Sequence, residues 1–326
     1  MPSQTHSRKT MPYTLQNKKI WVAGHNGMVG SAICRALLNH NCDIITANKA
    51  DLDLRDQHAV NTFMAYQKPD AIILAAAKVG GIKANNDEPA DFLYDNLMIE
   101  SNVIHAAYKN QIQKLLFLGS SCIYPRDATQ PITEDTLLTA PLEPTNEAYA
   151  IAKIAGIKLC QSYRAQYDCD FISAMPCNLY GPNDYYDAQR SHVIPALIMK
   201  IHNAKNNDDK NIELWGTGTP LREFLYVDDL AGGLLHLLQN YSEAAPINIG
   251  SSTEISIADL ATTIATVIGY NGTISFNPEM PDGTPRKLMD SSKMRAMGWQ
   301  PQTTLEDGLR KTYEYYCEQE SRKYAA

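Results

Sequence analysis

Residues 20–30 read Ile-Trp-Val-Ala-Gly-His-Asn-Gly-Met-Val-Gly, an apolar run followed by three evenly spaced glycines. Glycines three residues apart allow a tight turn, close approach of the backbone to a pyrophosphate, and close packing of a helix on a strand. A helix beginning at Met28 would point free N–H groups at the phosphates. The stretch therefore predicts a strand, a nucleotide-binding loop and a helix; the alternative is a glycine-rich turn without a ligand.

Short apolar runs alternate with helical patterns up to about residue 178. Strands without polar alternation are buried on both faces, as in a parallel sheet covered by helices, and right-handed βαβ connections are expected. The predicted fold class is α/β, a Rossmann-type doubly wound parallel sheet. Its strands are predicted at 20–23, 44–46, 71–77, 114–118 and 171–175, and its helices at 28–39, 56–66, about 91–110 and 147–167.

Beyond residue 178 the pattern loosens, and loops rich in Asn, Asp, Pro and Gly separate shorter elements. This organisation predicts a smaller, mostly C-terminal α/β substrate lobe. We expect a flexible leader over 1–17, an NADP-binding Rossmann domain over 18–178, and a mainly substrate-binding lobe over 179–326. Segments near 226–250 are expected to return to the main sheet.

Composition excludes several classes of protein. The chain has 326 residues, a net charge of −7 and no basic stripe, so no nucleic-acid partner is expected. No apolar run is long enough to span a membrane, and the polar first residues do not resemble a signal peptide. Seven dispersed cysteines without a C-x-x-C pair indicate reduced thiols, a cytoplasmic location and no metal site.

The segment after the second strand bears on the choice of dinucleotide. A carboxylate there would hold the ribose hydroxyls of NAD, but the chain reads Ala-Asn-Lys over 47–49 and has no carboxylate before Asp51. Lys49 suits a 2′-phosphate, which favours NADP; the alternative is a solvated surface lysine. Asp51 and Leu52 either hold the adenine end or begin a loop.

Tyr149 and Lys153 are four residues apart and therefore share a helix face. A neighbouring ammonium lowers the pKa of a phenol, which can then give its proton to a carbonyl oxygen as hydride arrives at the carbon. Alone, such a pair is a common surface motif. With the glycine loop upstream, the residues resemble the extended short-chain dehydrogenase/reductase superfamily. That resemblance implies that Ser120 holds the substrate carbonyl beside Tyr149. The alternative is a turn-capping serine, a role that also fits Ser121.

Cys122 follows Ser120 by two residues and should reach the same cleft. His192 stands at the predicted entry to a later helix. A thiol and an imidazole facing one sugar ring make a base and an acid with pKa values usable near neutrality. The alternatives are a buried small cysteine and a helix-capping or core histidine.

Six runs closely resemble the GDP-L-fucose synthase family, whose members are 3,5-epimerase/4-reductases acting on GDP-4-keto-6-deoxy-D-mannose: 75–82, 119–125, 143–147, 191–195, 215–224 and 281–287. The resemblance extends from about residue 18 to the C-terminus. It implies conversion to GDP-L-fucose by epimerisation at C3 and C5 and NADPH-dependent reduction at C4. The alternative is the GDP-colitose synthase type, which inverts C5 only.

The resemblance also implies roles for individual residues. Ser120, Tyr149 and Lys153 would form the reductase set, with Cys122 as the epimerisation base and His192 as the acid. Lys200, Trp215, Arg222 and Asp282 would bind the GDP-sugar. The family pattern has arginine at the positions of Asn26 and Lys200, and lysine lacks the bidentate fork of arginine. NADP(H) would be held by Gly24, His25, Asn26, Gly27, Met28, Val29, Gly30, Lys49, Asp51, Leu52, Leu118, Gly119, Ser120, Ser121, Lys153, Pro176, Cys177, Asn178, Leu179 and His192.

Other functions and the oligomeric state are also considered. A nucleotide-sugar 4-epimerase or dehydratase would regenerate its dinucleotide, and a dinucleotide-sensing module would not need Tyr149, Lys153, Cys122 and His192 together. The helices near 91–110 and 147–167 have apolar residues on more than one face. In related reductases such helices pair into a four-helix bundle, so a homodimer is expected.

Overall fold

The computed structural model describes residues 12–187, 190–280 and 282–325. Its strands are β1 Lys19–Ala23, β2 Asp43–Ile45, β3 Ala71–Leu74, β4 Lys114–Leu118, β5 Asp170–Pro176, β6 Asn178–Tyr180, β7 Asn211–Trp215, β8 Leu221–Tyr226, β9 Ile247–Ile249, β10 Glu254–Ser256, β11 Thr273–Asn277 and β12 Arg286–Lys287. Its helices are α1 Met28–Leu37, α2 Gln57–Gln67, α3 Ile82–Asp87, α4 Pro89–Lys109, α5 Glu147–Tyr167, α6 Val193–Asn206, α7 Val227–Asn240, α8 Ile257–Ile268, α9 Ser292–Ala296 and α10 Leu305–Ala325.

Six parallel strands form the main sheet in the order β2-β1-β3-β4-β5-β9. The order reverses at β1, because β2 lies on one side of it and β3 on the other. In open α/β sheets such a switch point creates a crevice at the carboxyl ends of the strands, where ligands bind. The glycine loop leaves β1 at this crevice, and the α/β Rossmann-type prediction is confirmed.

The central strands are buried along their whole length, as their unbroken apolar sequences predict. Each residue of β3 and of β4 is buried. The predicted third strand, 71–77, is longer than observed, since β3 ends at Leu74 and residues 75–77 continue as loop at the carboxyl edge of the sheet. That shortening leaves backbone free to approach the glycine loop.

Two later elements return to the main sheet. β9 pairs with β5 at the sheet edge, and α7 packs against α1. The chain before β1 is also attached, because the Tyr13 N–H donates to Gln239 O at 2.7 Å and Leu15 is buried. Residues 1–11 of the expected leader lie outside the described residues. The remaining residues, 12–17, include Tyr13 and Leu15, which pack against the protein.

A second cluster of buried apolar residues forms the smaller lobe. It is built mainly from α6, α8 and α10, together with the parallel pair β7–β11 and parts of β6 and β8. β8 connects the lobes, pairing with β6, which follows the main sheet directly, and with β10 and β12 in the lobe. The expected mostly C-terminal α/β lobe is therefore present.

The two longest helices beside the sheet are α4 and α5, with 21 residues each. They pack against one another, so that the outer face of each is left at the molecular surface. Neither of them, nor any other helix in the described ranges, combines the length and apolarity that crossing a bilayer requires.

Candidate active site

The glycine loop is packed too closely for larger residues. At Gly24, with φ +92°, a Cβ would lie 2.6 Å from Ala76 N, and at Gly30 it would lie 2.1 Å from Gly24 O. Gly27 caps α1 without a side-chain hydrogen bond, so the first N–H groups of the helix are not covered by a capping side chain. Close backbone packing with open donors suits a pyrophosphate.

Neighbouring residues also fit a dinucleotide. The His25 Nδ1 is buried and has no hydrogen-bond partner among the described residues, as expected of a group that meets a ligand. Asn26 Nδ2 donates to Asn48 Oδ1 at 2.9 Å, which joins the loop to the segment after β2. Lys49 is exposed there, and the carboxylate of Asp51 accepts from Asn48 Nδ2 at 3.3 Å. This edge therefore contains amide groups and an exposed cation for the adenosine end.

The remaining residues predicted to bind the cofactor lie either in the apolar core or at the carboxyl edge of the sheet. Leu52 packs in the main apolar core, so its side chain is structural. Leu118 and Pro176 end β4 and β5 at the carboxyl edge, where β6 follows with Asn178 and Leu179. Gly119 and Ser121 begin the turn after β4, and the buried Cys177 links β5 to β6.

A 3₁₀ turn over Ser121–Ile123 presents the serine and the thiol. Ser120 caps this turn, and its Oγ accepts from the Cys122 N–H at 3.4 Å. The Cys122 Sγ lies 3.2 Å from the Ser120 Oγ, and the residue is 9% exposed. Both side chains therefore project from the carboxyl end of β4, as the sequence predicts.

The predicted tyrosine and lysine lie on α5 beside this turn. Tyr149 hydrogen-bonds to Ser120, and it lies close enough to Cys122 for their charges to interact. The Lys153 Nζ is 5.8 Å from the centroid of the Tyr149 ring. Ser120, Cys122, Tyr149 and Lys153 are therefore brought together.

Protonation at Tyr149 differs from the expectation. Burial, followed by the charges of Cys122 and Glu100, raises the pKa of Tyr149 well above its usual range, while the hydrogen bond to Ser120 lowers it. The Lys153 ammonium does not produce the expected lowering, because it forms an ion pair of 2.9 Å with Glu100. Tyr149 is therefore a protonated phenol, an acid rather than a phenolate.

The pKa values of Cys122 and His192, the predicted base and acid, also differ from the expectation. Burial raises the pKa of the Cys122 thiol, although Lys287, the hydrogen bond to Ser120 and the Lys153 charge act in the opposite direction. Desolvation by surrounding protein lowers the pKa of His192, whose side chain is nonetheless exposed. An exposed imidazole among protein groups suits the wall of an open cleft. The expectation of two pKa values near neutrality is thus wrong for the protein alone.

His192 caps the beginning of α6, and hydrogen bonds fix the segment before it. The Gly81 N–H donates to Arg190 O at 3.0 Å, and the Arg190 guanidinium contacts Glu88 at 2.6 Å. The 78–88 segment leads into α4, where Phe92 lies edge-on to the Tyr149 ring at 6.3 Å. His192 is therefore held by a segment that reaches back to the reductase residues.

The predicted sugar-nucleotide residues lie in the smaller lobe. Trp215 ends β7 and is 69% exposed, and Lys200 on α6 donates to the Glu213 carbonyl. Asp282 accepts from the Thr217 N–H at 2.9 Å, and its charge interacts with that of Arg222. Burial lowers the pKa of the Arg222 guanidinium. An exposed flat ring and a partly buried guanidinium suit a base and a phosphate.

Three residues of the site were not predicted from the sequence. Lys287 pairs in register with Arg222 and lowers the pKa of Cys122, connecting the lobe to the thiol. Its signal was its place at the end of the matched run 281–287. Asn48 holds Asn26. Glu100 lies four residues after Asn96 on the buried face of α4, and a carboxylate on such a face was the available signal. In the described ranges no cluster of His, Cys, Asp and Glu suits a metal.

Comparisons with known proteins agree with this arrangement. Residues 20–250 match the model of the NAD dependent epimerase/dehydratase family. The chain is 57% identical over 304 residues to a GDP-L-fucose synthase of Sinorhizobium fredii, covering 93% of this chain and 97% of that protein. It is 39% identical over 305 residues to a GDP-L-colitose synthase of Yersinia pseudotuberculosis, covering 93% and 99%.

A solved structure extends the likeness to three dimensions. The GDP-L-fucose synthetase of Naegleria fowleri bound to NADP matches with a TM-score of 0.89 at 29% identity, covering 95% of this chain and 98% of that chain. The family model covers most of the chain, and the relatives match along nearly their whole length. The chain therefore belongs to the NAD dependent epimerase/dehydratase family and, within it, to the GDP-L-fucose synthase family.

Proposed function

We propose that the chain converts GDP-4-keto-6-deoxy-D-mannose to GDP-L-fucose. The substrate is epimerised at C3 and C5 and then reduced at C4 with NADPH. One observation carries the proposal: a thiol lies 3.2 Å from the Ser120 hydroxyl, which itself hydrogen-bonds to the phenol of Tyr149. A plain reductase needs the serine and the tyrosine but has no use for the thiol. The identity of 57% to a GDP-L-fucose synthase supports the choice of substrate.

In the reduction, Ser120 and Tyr149 donate hydrogen bonds to the C4 oxygen. Donors aimed where negative charge develops stabilise the transition state. Tyr149 then transfers its proton to that oxygen, and its raised pKa suits this role as an acid. When bound along the Gly24–Gly30 loop, NADPH supplies the hydride for C4.

In the epimerisation, the C4 ketone acidifies the hydrogens on C3 and C5. Cys122, as thiolate, removes each of them in turn, and the C4 oxygen carries the resulting enolate charge. His192 protonates the carbon on the opposite face. Lys287 favours the thiolate, since its charge lowers the pKa of Cys122. All steps depend on the same carbonyl oxygen, so a single cleft suffices.

The two halves of the reaction can be separated by substitution. We expect Cys122→Ser to abolish solvent deuterium exchange at C3 and C5, because a hydroxyl is a far weaker base than a thiolate. We expect Tyr149→Phe to retain exchange but to lose NADPH oxidation by about 10²-fold or more, since the proton donor is removed. Mass spectrometry of the sugar and absorbance of NADPH measure the two. Normal exchange in Cys122→Ser would contradict the assignment of the base.

A comparison of turnover with the two ketosugars tests the alternative, a GDP-colitose synthase type of enzyme. A GDP-colitose synthase type of enzyme inverts C5 only, and the corresponding relative is 39% identical, against 57% for the fucose synthase. We expect faster turnover with the ketosugar that carries a 3-hydroxyl. Stoichiometric loss of NADPH would exclude a 4-epimerase or dehydratase, which regenerates its dinucleotide, and any turnover would exclude a sensing module.

The proposed assembly is a homodimer in the cytoplasm. Tyr94 on α4 and Ile151 on α5 are large apolar residues that are 61% and 43% exposed. Pairing of α4 and α5 across a two-fold axis would cover them in a four-helix bundle. All seven cysteines are unpaired, which is consistent with a reducing compartment.

A further inference from the structure

One buried charge has no part in the reaction described above. Glu100, in the middle of α4, is 1% exposed. Its Oε1 lies 2.9 Å from the Lys153 Nζ, and the two side chains are 2% and 3% exposed. Burying a carboxylate is costly unless a counter-charge accompanies it. The pair lies next to the catalytic tyrosine, because the same ammonium is 5.8 Å from the centroid of the Tyr149 ring.

The surrounding residues are shaped around this ion pair. At Gly156, a Cβ would lie 2.8 Å from Glu100 Oε2 and 2.4 Å from the Phe117 ring, so glycine leaves room for the carboxylate. The centroid of the Phe117 ring lies 4.7 Å from the Lys153 Nζ, and both residues are buried. α4, α5 and β4 thus each contribute a residue to one closed site.

The polar and titratable groups that act on Tyr149 come from three elements. The turn after β4 contributes Ser120 and Cys122, α5 contributes Lys153, and α4 contributes Glu100. An isolated ammonium would favour the phenolate and so remove the proton that reduction requires. The carboxylate balances that charge.

We infer that Glu100 is a positioning residue for the reduction. Its ion pair holds Lys153 in place and balances the ammonium charge, and thereby keeps Tyr149 as the proton donor to the C4 oxygen. This inference rests on the reductase function proposed above. Glu100 touches neither sugar nor cofactor in this role, and it acts through Lys153.

The test compares pH profiles of NADPH oxidation by the full-length enzyme with GDP-4-keto-6-deoxymannose. Glu100→Gln keeps the shape and removes the charge. Without that charge, which raises the pKa of Tyr149, the phenol loses its proton at a lower pH, so the basic limb of kcat moves to lower pH. We expect a shift of roughly one pH unit or more and a loss of about tenfold or more in kcat at pH 8, with KM for the sugar within about twofold.

Two further variants keep the result interpretable. Asp170→Asn weakens another ion pair of a buried lysine, Lys114, at 2.7 Å and at the opposite end of β4. It should lower stability and leave the pH profile unchanged. Glu100→Asp retains the charge but withdraws it by about one bond length, so the basic limb should move in the same direction by a smaller amount.

The outcomes separate the two levels of the proposal. A folded Glu100→Gln enzyme with the wild-type basic limb overturns the role of Glu100, even if its melting temperature falls. Should Glu100→Gln not fold, the Glu100→Asp profile decides, and an unmoved limb overturns the inference. A wild-type enzyme that does not oxidise NADPH with this sugar overturns the proposed function instead.

Discussion

At the scale of single residues, the proposed epimerisation depends on two side chains whose pKa values are displaced in opposite directions. Burial raises the pKa of Cys122 above its ordinary 9.0, and desolvation lowers the pKa of His192 below its ordinary 6.5. Neutral thiol and neutral imidazole therefore dominate at pH 7. The productive combination, thiolate with imidazolium, is a minor form whose fraction stays constant between the two pKa values and falls outside them.

The pH dependence of epimerisation follows from these signs. We expect deuterium exchange at C3 and C5 to be flat through neutrality, with an acid limb below the ordinary imidazole pKa of 6.5 and a basic limb above the ordinary thiol pKa of 9.0. His192→Asn should lower exchange at neutral pH by about 10²-fold or more and remove the basic limb, so that exchange rises with pH towards the pKa of Cys122 and then levels off. Mass spectrometry of the recovered sugar gives both results. A basic limb that survives in His192→Asn would assign that proton to another group.

The residue types of this site could be predicted from the sequence, but their electrostatics could not. Tyr149 and Lys153 follow from their spacing on a predicted helix, whereas the roles of Ser120 and Cys122 follow from the family resemblance of the run after a predicted strand. The pairing of Lys153 with Glu100 joins residues 53 positions apart on different helices, and no local spacing reports it. For that reason the sequence predicted a lowered pKa for Tyr149, whereas burial and Glu100 raise it.

At the scale of elements, the β1–α1 unit depends on close backbone packing. We expect Gly30→Ala to weaken NADPH binding and to lower the free energy of unfolding by about 1–3 kcal/mol, because its Cβ would lie 2.1 Å from Gly24 O. Fluorescence titration with NADPH and urea unfolding measure the two effects.

Gly232 provides the matched control for this substitution. It lies in α7, is exposed, and a Cβ added there would meet no atom within 4 Å. Gly232→Ala should therefore raise the free energy of unfolding by about 0.5–1 kcal/mol, since alanine is the better helix former. Equal behaviour of the two variants would mean that packing at Gly30 does not govern the loop.

The elements themselves were largely predictable, because a covered parallel sheet produces unbroken apolar strands. Asp56, predicted as the first residue of a helix, is its N-cap and accepts from the N–H groups of His58 and Ala59. Element ends were less predictable: β3 stops at Leu74, since the end of a strand at a ligand crevice is set by tertiary packing and not by apolar sequence.

At the scale of the whole molecule, the strand β8 contributes buried residues to both apolar cores. β8 pairs with β6 near the main sheet and with β10 and β12 in the smaller lobe. Arg222 on β8 and Lys287 on β12 thus connect the residues predicted to bind the sugar nucleotide to the thiol at the sheet edge. The division into lobes could be predicted from the loop-rich composition after residue 178, but this connection could not, because it joins distant segments.

The proposed dimer predicts that a charge on the outer face of α5 makes the protein monomeric. Ile151 stands on the outer face of α5 and is 43% exposed in the single chain. If α4 and α5 pair across a two-fold axis, an aspartate at this position would bury an unpaired charge in each subunit, a cost that exceeds the gain from the remaining contacts. Sedimentation velocity should show a dimer for the wild-type protein and a folded monomer for Ile151→Asp. Leu38→Asp, at a residue 75% exposed after α1, is the control and should remain dimeric. A wild-type monomer, or an Ile151→Asp dimer, would place the interface elsewhere or remove it.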